Sequence, residues 1–360
     1  MAEELKRLSI LERLGYERIE GFSEERKVGI LVSLLALMIV TAAIAISRGV
    51  YEISVVDVYT ITLAHLSPLG DTSAVSRLYD TIVWELRIPR ILLAITVGVA
   101  LATSGAVFQG CFRNPLVEPY ILGVSSGAAF GASLGIVYPQ FFLSIQVSAF
   151  IFGSVAVALA YLLARTRDET PIVTLILAGV IIGSVFSALV SIMKYISNDS
   201  ALREIVFWLM GGFYYASWKD VALVSPIVVA SFFVLWLLGW KLNILSMGDE
   251  EARTLGVSPE KYKFVLISIA TLITSLAVST VGIIAWVGLM MPHAARLLLG
   301  PDHRFVIPAA AMLGGTYLIV CDTLARTLTS AEIPVGIITS ILGAPYLFYL
   351  LRTRGRAIFG

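Results

Sequence analysis

Charge is scarce in this chain of 360 residues. Asp, Glu, Lys and Arg together make up 14% of it, where a typical soluble domain has about 25%. Hydrophobic residues make up 58%, and the mean hydropathy is +0.89. This composition excludes a disordered chain and an ordinary soluble enzyme. The 26 basic and 25 acidic residues nearly cancel, so no basic excess indicates a nucleic-acid partner.

Residues that commonly carry chemistry are as scarce as charge. The two cysteines, Cys111 and Cys321, end two different apolar runs, and the topology derived below puts them at opposite membrane faces, which argues against a disulfide. The three histidines, His65, His293 and His303, are too dispersed to build a zinc site with them. The sequence has neither a G-x-x-x-x-G-K-[ST] phosphate loop nor an H-E-x-x-H motif. These absences disfavour a catalytic function.

Long apolar runs are what the chain has instead. A membrane-spanning helix needs roughly 20 mostly apolar residues. The uncharged intervals between Lys27 and Arg352 provide ten such segments, if a break at Pro139 divides 119–164 and a break near Ser279–Gly282 divides 264–295. The sequence therefore predicts an all-α polytopic membrane protein with ten transmembrane helices.

Ten spans place both termini on the same side of the membrane. If that side is cytoplasmic, 18 of the 26 Lys and Arg residues lie inside, as the positive-inside rule requires. A single span over 264–295 would move the C-terminus outside and weaken this bias. We predict a multi-pass protein of the cell membrane, with a cytoplasmic segment 1–27, a ten-helix domain 28–353 and a cytoplasmic tail 354–360.

The segments outside the predicted spans differ in their signals. The segment 1–27 is too charged for a cleavable signal peptide, and its leucine spacing over 5–14 predicts a short amphipathic helix at the inner surface. Residues 49–90 form a predicted long outer loop. Residues 195–219 form a predicted outer segment with a short helix. These predictions leave 241–263 as the largest inner loop between spans.

The inner loop 241–263 carries helix-capping signals. Acidic residues from Asp249 onward suit the start of a helix, and the glycine at Gly256 suits its end. Ser258 followed by Pro259 then predicts the start of a second helix. The sequence thus predicts two short helices around a glycine turn. On spacing alone this loop is either a solvated acidic connector or a docking element for an inner partner.

Arginines near the outer ends of two spans have two interpretations. Arg87 and Arg90 are three residues apart and share one face of a regular helix. Beside Trp84, spacing alone favours interfacial anchoring. Arg326 follows Asp322 by four residues, a favourable pair on a helix, which in the simplest interpretation only satisfies itself.

The tight inner turn 112–119 is made rigid by two prolines and an asparagine. After it, Gly123, Gly127 and Gly131 recur every four residues, which predicts close packing of membrane helices. His293, at the inner end of a predicted span, is either a satisfied structural group or a functional one.

These segments, taken in order from about residue 84 to 351, resemble the FecCD-type permeases, the membrane subunits of ABC importers for vitamin B12, iron–siderophore complexes and heme. The matching motifs are Arg87-Ile88-Pro89-Arg90, Arg113-Asn114-Pro115-Leu116, Leu122 to Ala128, Trp208 to Gly212, Gly248-Asp249 with Leu255-Gly256, Pro292-His293, Asp322 with Arg326, Glu332 to Gly336, and Gly343-Ala344-Pro345.

The resemblance implies partners and roles. The partners are a second permease subunit (a homodimer is expected, with a heterodimer left open), two cytoplasmic ATPases and an external substrate-binding protein. ATP would be bound by the ATPases, so no cofactor is expected in this chain. In the family, arginines at the positions of Arg87, Arg90 and Arg326 receive acidic residues of the binding protein, a pairing that suits arginine.

The resemblance also implies an inner coupling site and an inner gate. The residues that match the coupling helices, which contact the ATPases, are Asp249, Glu250, Ala252, Arg253, Leu255 and Gly256. The gate residues would be Asn114, Leu116, Pro171 and Ile172. At the last two positions this chain departs from the small hydroxyl residues common in relatives.

The function that the resemblance implies is inward transport of a metal chelate by alternating access. An iron–siderophore complex is the first expectation, followed by a corrinoid or heme. The main alternative is an ion- or proton-coupled secondary transporter that uses His293 and Asp322 and needs no ATPase. A membrane enzyme is a second alternative, which the missing catalytic residues disfavour.

Overall fold

The computed structural model describes residues 23–49, 51, 53–67, 76–141, 143–165, 171–329 and 331–358. Across these ranges the chain is helical and contains no strand. The predicted amphipathic helix over 5–14 lies outside the described residues. The predicted boundary at residue 27 falls inside a helix, because α1 already begins at Glu24, where Ser23 caps its first turn.

The helices are short at the membrane surfaces and long between them. Their bounds are α1 Glu24–Ser47, α2 Val55–Leu66, α3 Arg77–Phe112, α4 Val124–Val137, α5 Ile145–Ala164, α6 Ile172–Ile196, α7 Asp199–Met210, α8 Trp218–Leu237, α9 Gly239–Met247, α10 Asp249–Thr254, α11 Pro259–Val281, α12 Val287–Leu299, α13 His303–Thr327 and α14 Val335–Ile358. Within α3, residues 81–87 form a π-helical section, and Pro119–Leu122 form a 3-10 turn before α4.

Among the described residues, seven helices are long and apolar enough to cross a membrane: α1, α3, α5, α6, α8, α11 and α13. Of the four shorter apolar helices, α4, α12 and α14 coincide with predicted spans and bring the number to ten, whereas α2 lies within the predicted outer loop 49–90. Both predicted breaks are confirmed, because α4 ends at Val137 before Pro139 and α11 ends at Val281. The predicted ten-helix, all-α membrane fold is confirmed with them.

The core is built around α3, which is largely buried, whereas α1 is almost fully exposed along its length. Glycines let other backbones approach α3 closely. A Cβ placed on Gly98 would lie 2.3 Å from the carbonyl oxygen of Gly314 in α13, and one on Gly105 would lie 1.9 Å from that of Gly288 in α12. Small residues at such crossings are what membrane helices use to pack, because lipid supplies no hydrophobic drive between them.

The predicted glycine face after the inner turn packs in the same way. A Cβ on Gly127 would lie 2.4 Å from the Phe152 carbonyl oxygen, and one on Gly131 would lie 2.2 Å from that of Ser148, both in α5. The prediction of close packing there is confirmed. Cys111 and Cys321 are both buried and unbridged, which confirms the prediction that they form no disulfide.

Candidate functional site

Arg90 lies near the predicted outer end of α3 and is paired with two carboxylates of the same chain. Outer and inner refer throughout to the orientation predicted from the sequence. Its Nε lies 2.9 Å from Asp322 Oδ1 in α13, and its Nη1 lies 2.9 Å from Glu332 Oε2 in the loop before α14. The side chain of Asp322 is 1% exposed, whereas that of Glu332 is 38% exposed. Arg90 therefore has one buried carboxylate partner and one that solvent can reach.

Arg87 and Arg326 stabilise the outer end of α1. The last four carbonyl groups of a helix lack partners within it, and the last turn of α1 contains no basic residue. Both guanidinium groups are buried and donate to carbonyl oxygens there. The acceptors are Ala45 (2.6 Å) and Arg48 (2.8 Å) for Arg326, and Ile46 (2.8 Å) and Tyr51 (2.6 Å) for Arg87.

The three predicted docking arginines thus lie at one outer corner, but each has acceptors within the chain. The predicted pair of Asp322 and Arg326 is present, with Nε and Oδ2 3.5 Å apart. Arg87 and Arg90 do not share partners as their spacing predicts. The π-helical section before Arg87 changes the number of residues per turn, and Arg87 contacts the end of α1 while Arg90 contacts α13. We call Arg87, Arg90, Asp322, Arg326 and Glu332 the outer ionic cluster.

The interpretation of these arginines as interfacial anchors is wrong for Arg87, because its side chain is buried. Trp84 has other contacts. Its ring stacks on His65 with ring centroids 4.2 Å apart, and its carbonyl oxygen accepts a hydrogen bond of 2.9 Å from the indole of Trp218.

The inner loop has the glycine turn that the sequence predicts, but its helices differ from the prediction. The first predicted short helix is α10. The second is not short, because Pro259 begins α11 after a turn in which Gly256 has a φ of +73°, and α11 continues to Val281. The helix α9, Gly239–Met247, is one that the sequence did not predict. Ser258 occupies the cap position of α11, although its side chain makes no capping hydrogen bond. Gly248, before α10, has a φ of +147°, a backbone conformation that favours glycine.

Two ion pairs join α10 to the start of α11. Lys263 Nζ lies 2.7 Å and 2.6 Å from the two carboxylate oxygens of Asp249. Arg253 Nη2 lies 2.6 Å from Glu260 Oε1. The side chain of Lys263 is 10% exposed, whereas those of Arg253 and Glu260 are 48% and 37% exposed. One pair is therefore buried on the lysine side, and the other faces solvent.

The predicted coupling residues divide between two faces of α10. Glu250, Arg253, Leu255 and Gly256 are exposed, so a partner at the inner surface can reach them. Ala252 is fully buried, and Asp249 is half-buried and paired with Lys263. Ala252 therefore anchors α10 to the membrane domain and does not face a partner.

The predicted gate residues lie in two places. Asn114 Oδ1 accepts a hydrogen bond of 2.9 Å from the backbone N–H of Leu116, which closes the inner turn, and Leu116 is exposed. Pro171 and Ile172 begin α6 and line a small cavity together with Asp249 and Lys263. The second gate segment thus adjoins the coupling loop.

Further polar contacts link α3 to α12. Gln109 Oε1 accepts a hydrogen bond from Arg296, and Gln109 Nε2 donates to the carbonyl oxygens of Val117 (3.1 Å) and Leu289 (3.2 Å). No spacing rule predicts the contact of Gln109 with Arg296, because 187 residues separate them.

A second polar group missed by the sequence reasoning lies where α13 begins. Asp302 accepts a hydrogen bond of 2.7 Å from Asn243 and one of 2.9 Å from the backbone N–H of Arg304. Although partial burial opposes ionisation, the hydrogen bonds from Arg304 and Asn243 hold the pKa of Asp302 below its usual range. This carboxylate caps α13 and fixes α9 against it.

The fold is that of a polytopic membrane protein with charged residues near both predicted faces. The model of the FecCD transport family matches residues 34–353. The chain therefore belongs to this family, whose members are permease subunits of ABC transporters.

Relatives and solved structures agree with this family. The chain is 42% identical over 295 residues to the cobalamin import system permease protein of Halobacterium salinarum. This match covers 82% of this chain and 79% of the relative. It is 37% identical to the molybdate import system permease protein of Haemophilus influenzae (91% and 97% covered) and 40% identical to the hemin transport system permease protein of Yersinia pestis (75% and 83%).

A solved structure assigned to the metal-chelate type of ABC transporter, in an inward-facing conformation, has a TM-score of 0.80 to this chain. The two are 36% identical, and the match covers 90% of this chain and 99% of the other.

Proposed function

We propose that this chain is the permease of a binding-protein-dependent ABC importer that moves a metal chelate inward by alternating access. The similarity to permeases named for cobalamin, hemin and iron chelatin supports a chelate as the substrate. An iron–siderophore complex remains the first candidate, with a corrinoid next and heme after it. The chain itself catalyses no covalent step, and ATPase partners supply the energy.

The observation that carries this proposal is the geometry of the inner loop. The short helix α10 presents the exposed residues Glu250, Arg253 and Leu255 at the predicted cytoplasmic face. Both polar and apolar side chains are available to a partner, as in most protein interfaces. The buried Ala252 and the paired Asp249 hold the helix to the membrane domain. An ATPase that binds this surface can therefore move the transmembrane helices behind it.

A pathway between two permease subunits is favoured by polar residues on α6. Ser184, Ser187 and Ser191 are exposed on this membrane helix, and Ser187 Oγ lies 3.1 Å from Ser126 Oγ in α4. Hydroxyl groups exposed at membrane depth suit a water-filled pathway or a helix partner better than lipid. We place a second copy of this chain opposite α6. The turn at Asn114 and Leu116, together with Pro171 and Ile172, forms the inner gate in this proposal.

The outer ionic cluster is the proposed docking site for the binding protein. Arg90 is its entry point, because its partner Glu332 is exposed and an acidic residue of the binding protein can exchange with it. Arg87 and Arg326 donate to backbone carbonyl oxygens, so docking at these positions requires those contacts to open. Reversing the charge at Arg87, Arg90 and Arg326 together is expected to abolish docking and uptake.

The secondary-transporter alternative has less support. Asp322 forms ion pairs with two arginines, Arg90 and Arg326, and so has a structural role that needs no proton transfer. It also follows His303, at the inner start of α13, by 19 residues, which is about 28 Å along a helix. His293 lies in a different helix, α12.

Co-purification tests the proposal. The chain is expressed with the ATPase encoded beside it, extracted in mild detergent and weighed by native mass spectrometry. Two copies of each subunit are expected, and the double variant Asp249→Lys with Arg253→Glu should lose the ATPase. A stable species without ATPase would contradict the proposal. Uptake of cyanocobalamin and of ferric ferrichrome into vesicles then distinguishes the chelate classes.

A further inference from the structure

The helix α10 lies between two glycines whose backbone conformations other residues rarely adopt. Gly248 has a φ of +147° and Gly256 a φ of +73°. A Cβ on Gly248 would lie 1.9 Å from Glu251 Oε2, whereas one on Gly256 would meet nothing within 4 Å. The chain therefore changes direction at both ends of this six-residue helix, and its backbone provides no continuous helical connection to α9 or α11.

Side chains provide the connection that the backbone lacks. Asp249 and Arg253 of α10 each form an ion pair with α11, to Lys263 and Glu260. The pair of Arg253 and Glu260 is exposed, and such pairs are weak because water and salt screen them. The Asp249–Lys263 pair differs because Lys263 is buried, so loss of Asp249 would leave a buried ammonium group without this partner, which is strongly unfavourable.

Lys263 links this pair to a helix that crosses the whole domain. From Pro259 to Val281, α11 is mostly buried, and its outer end contacts the outer segment. The N–H of Gly212 donates to the carbonyl oxygen of Val281 over 2.8 Å, and a Cβ on Gly282 would lie 2.2 Å from the Trp208 carbonyl oxygen. A movement of the inner end of α11 therefore reaches the outer segment without a flexible joint between them.

We propose that Lys263 is a positioning residue that transmits movement of α10 to α11 through its buried pair with Asp249. Lys263 contacts neither ATP nor the chelate in this proposal. It connects the surface that the ATPase moves to the helix that runs from the inner loop to the outer segment. The inference rests on the proposed function, since it needs an ATPase that acts on α10.

Hydrogen exchange on the assembled importer tests this link. Permease and ATPase are co-purified in nanodiscs, and amide exchange is measured by mass spectrometry with and without ATP and vanadate. In the unmodified complex, nucleotide should change exchange at the outer end of α11, residues 278–288, by at least threefold. In Lys263→Met, ATP hydrolysis should stay within twofold of normal while that response disappears. Uptake of the transported chelate should fall at least tenfold, so more ATP is hydrolysed per chelate.

Matched variants separate transmission from mere folding. Lys261→Met removes an exposed lysine two residues away and should leave the exchange response unchanged. The swapped pair Asp249→Lys with Lys263→Glu rebuilds the contact in reverse and should restore the response at least in part. If the Lys263→Met chain does not assemble with the ATPase, the exchange response of the swapped-pair variant alone decides whether the proposal holds. A swapped pair that assembles and hydrolyses ATP without a response at 278–288 would overturn the proposal.

Other outcomes assign a failure to its source. An unmodified complex that hydrolyses ATP but shows no response at the outer end of α11 overturns the role of Lys263 and leaves the proposed function intact. An unchanged response in Lys263→Met also overturns it. Failure of the unmodified chain to bind any ATPase instead contradicts the proposed function itself.

Discussion

The two charged sites of this permease differ in how their charges are held. In the outer ionic cluster, three arginines pair with backbone carbonyl oxygens at the end of α1, with the buried Asp322 of α13 and with the exposed Glu332 of the loop before α14. In the inner loop, α10 is held by two ion pairs, of which one is exposed. The outer site is therefore a fixed corner that ties several segments together, whereas the inner site is a small helix between two glycine turns.

The difference follows from burial. A buried charge without a partner is strongly destabilising, so each guanidinium of the outer cluster must keep an acceptor. Exposed acids on α10 are hydrated in the single chain and can exchange water for a partner. We therefore expect the inner loop to deform more easily than the outer corner.

The largest effect is expected when the outer corner loses its central carboxylate. Asp322→Ala leaves the guanidinium groups of Arg90 and Arg326 without their buried partner, which should lower the free energy of unfolding by about 3–5 kcal/mol. Thermal unfolding of the purified chain in detergent measures this. Glu332→Gln is the control, because Arg90 keeps Asp322, and its effect should stay below about 1 kcal/mol. Equal losses of unfolding free energy in Asp322→Ala and Glu332→Gln would show that burial does not decide how the outer charges are held.

A smaller loss is expected at the end of α1. Arg87→Met leaves the carbonyl oxygens of Ile46 and Tyr51 without their charged donor. Because the variant also removes the buried charge itself, the net loss should be about 1–3 kcal/mol, the cost of leaving an acceptor unsatisfied. We expect faster amide exchange over the last turn of α1, measured by mass spectrometry. Arg77→Met removes an exposed arginine of α3, the helix that contains Arg87. This variant should leave the amide exchange at the end of α1 unchanged. Equal protection in both variants would show that α1 needs no cap from Arg87.

The inner loop should respond mainly through its backbone. Gly256→Ala meets no steric obstacle, so its effect isolates the positive φ, which disfavours alanine by roughly 1–2 kcal/mol. Exchange should rise over 249–258 while the melting temperature of the membrane domain changes little. A large fall in that temperature would show that the loop is part of the rigid core and not hinged.

The exposed pair of the inner loop should matter least for stability. Glu260→Gln removes the partner of Arg253, and an exposed pair contributes about 0–1 kcal/mol. The free energies of unfolding of the variant and the unmodified chain, measured by denaturant titration, should agree within that range. A loss as large as that of Asp322→Ala would show that the two sites are held alike.

The contribution of Asp302 to stability should depend on pH. The pKa of Asp302 is lower in the folded chain than in the unfolded one, so its contribution to stability is present above the unfolded pKa and is lost as the pH falls through the folded pKa. We expect Asp302→Asn to reduce the acid dependence of the melting temperature below about pH 4. Identical pH profiles for the variant and the unmodified chain would contradict this.

The sequence by itself determined the fold class, the number of spans and, in the inner loop, the helix α10 with the glycine turn after it. Apolar runs of membrane length can only become helices, because lipid leaves no other way to satisfy the backbone. The break at Pro139 and the glycine turn at Gly256 could also be predicted, since proline restricts the backbone locally and glycine frees it.

Only the tertiary structure decided which charges meet. Arg90 pairs with Asp322 across 232 residues of sequence, and the π-helical section turns Arg87 towards α1 instead of Arg90's partners. Local spacing likewise could not show that Ala252 faces inward or that Lys263 holds Asp249. These contacts depend on how glycine-rich helices pack against one another, and a long-range pairing of that kind has no local signature in the chain.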